Sequence, residues 1–186
     1  MTVDILFVQG GGRDVHDQWD ARLVARLKKE LGPGYSVRYP RMPDEADPHY
    51  PPWRDALRNE VADLQDGVLL IGHSIGGAIL IHTLADQLPR RKLGGVFLIA
   101  TPFIGDGGWP SDEISSKSNL ADHLPADVPF FLYHGTHDEV VPFEHLRLYE
   151  SAMPHALARP LDGADHQLNG DLSCVAQDIF ALKLRG

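Results

Sequence analysis

Only one cysteine, Cys174, occurs in the 186 residues, so no disulfide can close within the chain and a reducing, cytoplasmic setting is the simpler expectation. Its segment, DLSCVAQDIFALKL, carries apolar residues at helical spacing and offers no neighbour that would activate a thiolate; Cys174 reads as a packed thiol. Basic charge is also scarce. The 17 Lys and Arg stand against 26 Asp and Glu, a formal net charge of -9, and no Lys/Arg-rich block forms a local patch against that background. Nucleic acid is therefore not an expected partner. No apolar run approaches the ~18 residues of a membrane span, and VDILFVQG follows the first two residues with no basic leader or cleavage site. A soluble intracellular protein without a membrane partner is expected.

What the chain does have is 43% hydrophobic and 23% charged residues, which suits one globular domain over residues 1–186 with a sizeable core. Apolar and amphipathic runs alternate along its length, the pattern of an α/β protein with a parallel sheet covered by helices. Strands are expected at VDILFVQ, YSVRYP, GVLLIGH, GGVFLIA, PFFLYHG and HALARPL. Between them, Trp19, Leu23, Leu27 and Leu31 recur at helical intervals, as do Trp53, Leu57, Val61 and Leu64. IGGAILIHTLADQL is apolar nearly all round in its first turns, as suits a helix pressed against the sheet. Residues 40–53, rich in proline, read as a loop, and residues 101–129 form the longest connection, shortened by a short helix near NLADHL.

GHSIGG, residues 72–77, stands between one of these strands and the helix after it. G-x-S-x-G in that context is the nucleophile elbow, a sharp strained turn that lifts the serine clear of the backbone. Side chains at Gly72 and Gly76 would collide with the neighbouring strand and helix, and Gly77 with Ala78 lets the helix come closer still. The competing reading is a glycine-rich turn with an incidental serine.

A serine hydroxyl needs a base, and the base needs a third group to orient it. Ten histidines are available, so position must decide, and in an open parallel sheet ligands bind beyond the carboxyl ends of the strands. Asp138 follows the fifth expected strand in HGTHDEVVP and His166 follows the sixth in DGADHQLN, which gives the chain order Ser, Asp, His. Asp138 also suits a place near a helix N-terminus, and His166 an exposed loop. Asp106 and Asp112, after the fourth strand, are the other candidate acids, but they lie on a long loop whose position is harder to fix than the short turn at Asp138.

His73 and His82 read as locally bonded or structural residues. His134, His137 and Asp138 in HGTHD suggest a metal cluster, yet that reading needs a ligand from elsewhere and leaves Ser74 unexplained, so no metal is expected. No cofactor is expected either: GGGRD lacks G-x-G-x-x-G, and no Gly-Lys-Ser/Thr phosphate loop occurs. For the oxyanion formed by attack on a carbonyl, the donors expected are the N–H of Ile75 and one from QGGGRD, with Gly11 the first choice and Gly12 the second.

QGGG, GHSIGG, HGTHDEVVP and GADHQLN, in that order, resemble the α/β-hydrolase superfamily across almost the whole chain. The small size and RMPDEADPHYPPW after the second strand are similar to the compact serine hydrolases related to retinoblastoma-binding protein 9. The resemblance implies a three-layer fold with a six-stranded parallel sheet in order 2-1-3-4-5-6 and no cap domain. It also implies a Ser74, Asp138, His166 triad and cleavage of small carboxylic esters or thioesters through an acyl-enzyme, with a small acyl compound as substrate. Phe103, Ile104 and Trp109 on one loop and Tyr50 and Trp53 on the other either line an acyl pocket or anchor their loops. The alternative function is a catalytically idle hydrolase fold that binds a protein, although nothing in the sequence indicates such a partner.

Overall fold

The computed structural model describes residues 2–117 and 119–183. Six strands, β1 (Val3–Val8), β2 (Tyr35–Arg38), β3 (Val68–His73), β4 (Leu93–Ile99), β5 (Phe130–Gly135) and β6 (Leu157–Leu161), form one sheet in the order β2-β1-β3-β4-β5-β6. Every neighbouring pair is parallel. Order and strand count are those implied by the resemblance, and each expected strand is present, with ends shifted by one or two residues.

Five α-helices cover the two faces: α1 (Asp20–Leu31), α2 (Tyr50–Ala62), α3 (Ser74–Asp86), α4 (Glu144–Ala152) and α5 (Ser173–Lys183). Alternate strand residues point to opposite faces. Val68 and Leu70 therefore join Leu57 of α2, Ile79 of α3 and Tyr149 of α4 in one core, while Leu69 and Ile71 join Leu27 of α1 and Val175 of α5 in the other. This explains why β3 and β5 read as unbroken apolar runs: covered on both sides, they are buried at every position. Among the described residues no helix is long and apolar enough to cross a membrane.

Two helix starts differ from the sequence reading. Trp19 does not lead the α1 stripe; it closes a π-helical turn over Val15–Trp19 and is 52% exposed, while Asp20 takes the buried place with Leu23, Val24, Leu27 and Leu31. α2 begins at Tyr50, so only residues 40–49 are loop. Pro51 and Pro52 fit its first turn because the N–H groups they lack have no helical acceptor there. The long connection 101–129 contains a 3₁₀ turn at Leu120–His123 and buries Phe103, Ile104, Ile114, Leu120 and Leu124. It is packed onto the core rather than draped over it.

Cys174 packs against the α1/α5 core, where burial pushes its thiol up. His82 of α3 is also buried, and its Nδ1 has no hydrogen-bond partner among the described residues. Burial, then the charge of Lys117, pushes this imidazole down from 6.5 to about 4. Because the folded value is the lower one, the stability at stake is fully present above the unfolded value and lost as pH falls towards the folded one. We expect up to about 3 kcal/mol of unfolding free energy to drain from this group as it takes up its proton in acid. His82→Phe, similar in size but unable to titrate, should flatten that part of the curve in urea titrations at neutral and acid pH.

Candidate active site

Ser74 is the first residue of α3 and has φ 54°, a left-handed conformation unusual for a residue with a side chain and costing on the order of 1–3 kcal/mol. The glycines around it make the turn sterically feasible. A Cβ on Gly72 would stand 2.5 Å from the Gly77 Cα across the turn, one on Gly76 would overlap the Gln9 carbonyl oxygen, and one on Gly77 would overlap Thr101 Oγ1. With those approaches open, α3 starts directly against β1 and β3, and the Ser74 side chain stands at the carboxyl edge of the sheet.

His166 lies in the segment between β6 and α5. Its Nε2 is 3.0 Å from Ser74 Oγ and its Nδ1 2.8 Å from Asp138 Oδ2. The loop is pinned from within: Asp165 Oδ1 accepts the N–H groups of Gln167 and Asn169, and Asn169 Oδ1 accepts that of Asp165. Asp138 uses its two oxygens separately. Oδ1 accepts the N–H groups of Val140 and Val141 at 2.8 and 2.9 Å, which fixes the turn before α4, while Oδ2 faces His166. Burial disfavours its charge, but hydrogen bonds from His134, His166 and the Val141 N–H outweigh burial and hold the carboxyl well below the usual range. Asp106 and Asp112 are exposed on the 101–129 connection, away from this chain of bonds.

Beside Ser74, the N–H groups of Ile75 and Gly11 have no partner among the described residues. The first three or four N–H groups of a helix lack helical acceptors, which frees that of Ile75. Gly11 lies against it: a Cβ on Gly11 would stand 2.8 Å from Ile75 Cγ2 and 2.7 Å from Pro48 Cγ. Its neighbours are already committed, Gly10 N–H to Asp20 Oδ2 at 2.7 Å and Gly12 N–H to the Glu45 carbonyl at 2.6 Å. The N–H of Gly12, the second choice for an oxyanion donor, is thus already engaged by Glu45, whereas that of Gly11, the first choice, is not.

A family model described as the alpha/beta hydrolase family matches residues 5–179. The chain belongs to the alpha/beta hydrolase family. Among solved structures, the esterase domain of a Rhodothermus marinus protein superposes with TM-score 0.68 and 22% identity, covering 98% of this chain and 87% of that one. The ydeN gene product of B. subtilis superposes with TM-score 0.70 and 18% identity over 97% and 98% of the two chains. At these identities the likeness is one of fold. An Arabidopsis thaliana protein named "Putative methylesterase 14, chloroplastic" is 30% identical over 69 residues, which are 37% of this chain and 19% of that protein. The match thus spans about a fifth of that relative's length.

In this alpha/beta hydrolase the aromatic residues expected on the two loops are held by packing and hydrogen bonds, Tyr50 and Trp53 from the first turn of α2. Trp53, a candidate for either pocket wall or anchor, is fully buried and donates its indole N–H to the Pro43 carbonyl at 2.6 Å, and the Tyr50 hydroxyl donates to Asp86. Phe103 and Ile104 are buried, and the Phe103 N–H donates to Nδ1 of the buried His145. Trp109 is only partly buried and meets His145 edge-on. In the HGTHD segment His134 Nε2 lies 2.9 Å from the Val141 carbonyl and 3.3 Å from Asp138 Oδ2, His137 is exposed, and among the described residues no group of three His, Cys, Asp or Glu is placed to hold a metal.

Two residues at the site escaped the sequence reading. Gln9 is fully buried at the end of β1, where its amide accepts the Met42 N–H and donates to Glu45, pinning the 40–49 loop beside Gly11. Asp20 is fully buried beneath Gly10 and His73. The available signal for Asp20 was a charge at helical spacing from Leu23, Val24 and Leu27, on the stripe that faces the core.

Proposed function

We propose that this alpha/beta hydrolase is a serine hydrolase that cleaves small carboxylic esters or thioesters through an acyl-enzyme on Ser74. The observation that carries the reading is His166, with one ring nitrogen on the Ser74 hydroxyl and the other on an ionised, buried Asp138. In the forward step Ser74 Oγ attacks the acyl carbon while its proton passes to His166 Nε2. Charge collects on the carbonyl oxygen, for which the free N–H groups of Ile75 and Gly11 are the donors. Collapse breaks the bond to the alcohol or thiol, which leaves with the proton from His166. Water, deprotonated by the same nitrogen, then attacks the acyl-enzyme, releases the acid and restores Ser74. Asp138 holds Nδ1 protonated throughout, and the chemistry asks for no metal or cofactor.

A small substrate is supported by the tight packing of Pro48 and Ile75 against Gly11 and by the 9% exposure of Ser74. Ester chemistry is supported by the esterase domain among the structural neighbours and by the methylesterase name of the short-segment relative. The kinship to the group around retinoblastoma-binding protein 9 rests on chain length and the composition of residues 40–53 alone. Incubation with a fluorophosphonate probe, followed by a panel of p-nitrophenyl esters of increasing acyl length, tests the proposal. Labelling at Ser74 with fastest turnover of the shortest esters is expected. Folded protein that neither labels nor turns over any ester would instead favour the idle, protein-binding alternative.

A further inference from the structure

His73 precedes Ser74 and is 1% exposed, yet the acyl-transfer steps make no use of it. Its Nδ1 lies 2.9 and 3.0 Å from the two oxygens of Asp20, and its Nε2 lies 3.1 Å from the carbonyl oxygen of His166. Both partners are acceptors, so both ring nitrogens carry hydrogen, and ring and carboxylate together hold one proton more than a neutral imidazole beside an ionised acid. Asp20 in turn accepts the Gly10 N–H at 2.7 Å.

Resting on the reading of Ser74 as nucleophile, we infer that His73 is a positioning residue for that chemistry. Its doubly donating ring ties the backbone of His166 to Asp20, and through Asp20 to the loop that presents the Gly11 N–H. The parts being joined are remote in sequence: the loop after β1, the end of β3 and the loop after β6. Nucleophile, base and oxyanion donor must agree in position, and a slip of about 1 Å costs on the order of a hundredfold in rate. A ring buried at the junction of all three, bonded at both nitrogens, resists such a slip.

The groups facing the ring are Asp20 from the first turn of α1, Gly10 from the loop after β1, the carbonyl and ring of His166, and at longer range Asp138 from the turn after β5. Burial disfavours a charged ring, but Asp20 outweighs it, with the His166 carbonyl and Asp138 adding, and the imidazole is held above its ordinary value. The clasp is therefore at full strength in acid and loosens as pH rises through the raised value.

Asp20→Asn provides a test that a merely structural role would not pass. The asparagine oxygen can still accept the Gly10 N–H while its NH₂ donates to His73 Nδ1. A neutral ring then keeps its Nε2–H bond to His166, and protonation breaks the clasp instead of making it. The ratio of Asp20→Asn to wild-type kcat on p-nitrophenyl acetate should thus rise from roughly pH 6 to 9, with KM changed by less than about threefold. His73→Phe, which fills the space without donors, should lose about 10- to 100-fold in kcat across that range. A folded His73→Phe within about threefold of wild type overturns the proposal, as does a ratio for Asp20→Asn that does not change with pH, which decides the matter should the phenylalanine variant not fold. Failure of the hydrolase reading shows separately, as wild-type protein that does not label with fluorophosphonate. In that event ¹⁵N spectra of the wild-type histidine rings still test the clasp: both His73 nitrogens should be protonated at neutral pH, and one unprotonated nitrogen overturns it.

Discussion

Replacing Ser74 with alanine is expected to leave a folded protein that no longer reacts with a fluorophosphonate and whose esterase rate falls by about 10⁵ to 10⁶. The elbow depends on the open approaches at Gly72, Gly76 and Gly77, none of which involves the hydroxyl, and alanine at φ 54° bears much the same backbone strain as serine. Unfolding free energy should stay within about 1 kcal/mol of wild type in urea. The thiol of Cys174, pushed up by burial and packed in the α1/α5 core, is no ready substitute. Ester hydrolysis that survives in purified Ser74→Ala, with circular dichroism unchanged, would place the nucleophile elsewhere and end the assignment.

The contrast between Gly76 and Gly12 shows how much of this site was legible in advance. Gly76 is demanded because the helix after Ser74 starts against the Gln9 carbonyl at the end of β1, an approach built into the strand–serine–helix turn itself, so its glycine stands at a set spacing from the serine. Strand identity was legible for a similar reason: runs such as Val68–His73, buried on both faces, leave few alternatives. Which of Gly10, Gly11 and Gly12 offers a free N–H is not a local matter. Asp20 takes the first and the Glu45 carbonyl the last, and neither is marked as a partner in the sequence.

Trp19 and Asp20 make the same point within one helix. A stripe led by tryptophan looks better than one led by aspartate, because burying a carboxylate is costly unless it is bonded. The bonds that offset the cost come from Gly10, ten residues away, and His73, fifty-three residues away, so they appear only once the chain has folded. Trp53, which the sequence left open between pocket wall and loop anchor, shows the same limit. An aromatic residue beside a proline-rich loop suggests a pocket wall, but its indole N–H is spent on the Pro43 carbonyl, holding in place the loop that sets Pro48 over Gly11.

The second large effect is expected at Asp138. Asparagine there can keep its Oδ1 on the Val140 and Val141 N–H groups, so the turn before α4 should persist and stability should change little. Its NH₂ then occupies the place of Oδ2, 2.8 Å from His166 Nδ1, where a donor now meets the nitrogen that had been donating. His166 answers by carrying its proton on Nε2, the nitrogen 3.0 Å from Ser74 Oγ, and in that tautomer it cannot accept the serine proton. The imidazolium formed during attack also loses a carboxylate held ionised well into the acid range. Together these should lower kcat by about 10³- to 10⁴-fold. Asp106→Asn and Asp112→Asn, on the exposed part of the 101–129 connection, should stay within about tenfold of wild type, a barrier change of ~1.4 kcal/mol or less. A large loss at Asp106 or Asp112 with Asp138→Asn still active would transfer the acid to the loop after β4, and the bond from His166 to Asp138 would then serve only to hold the loop.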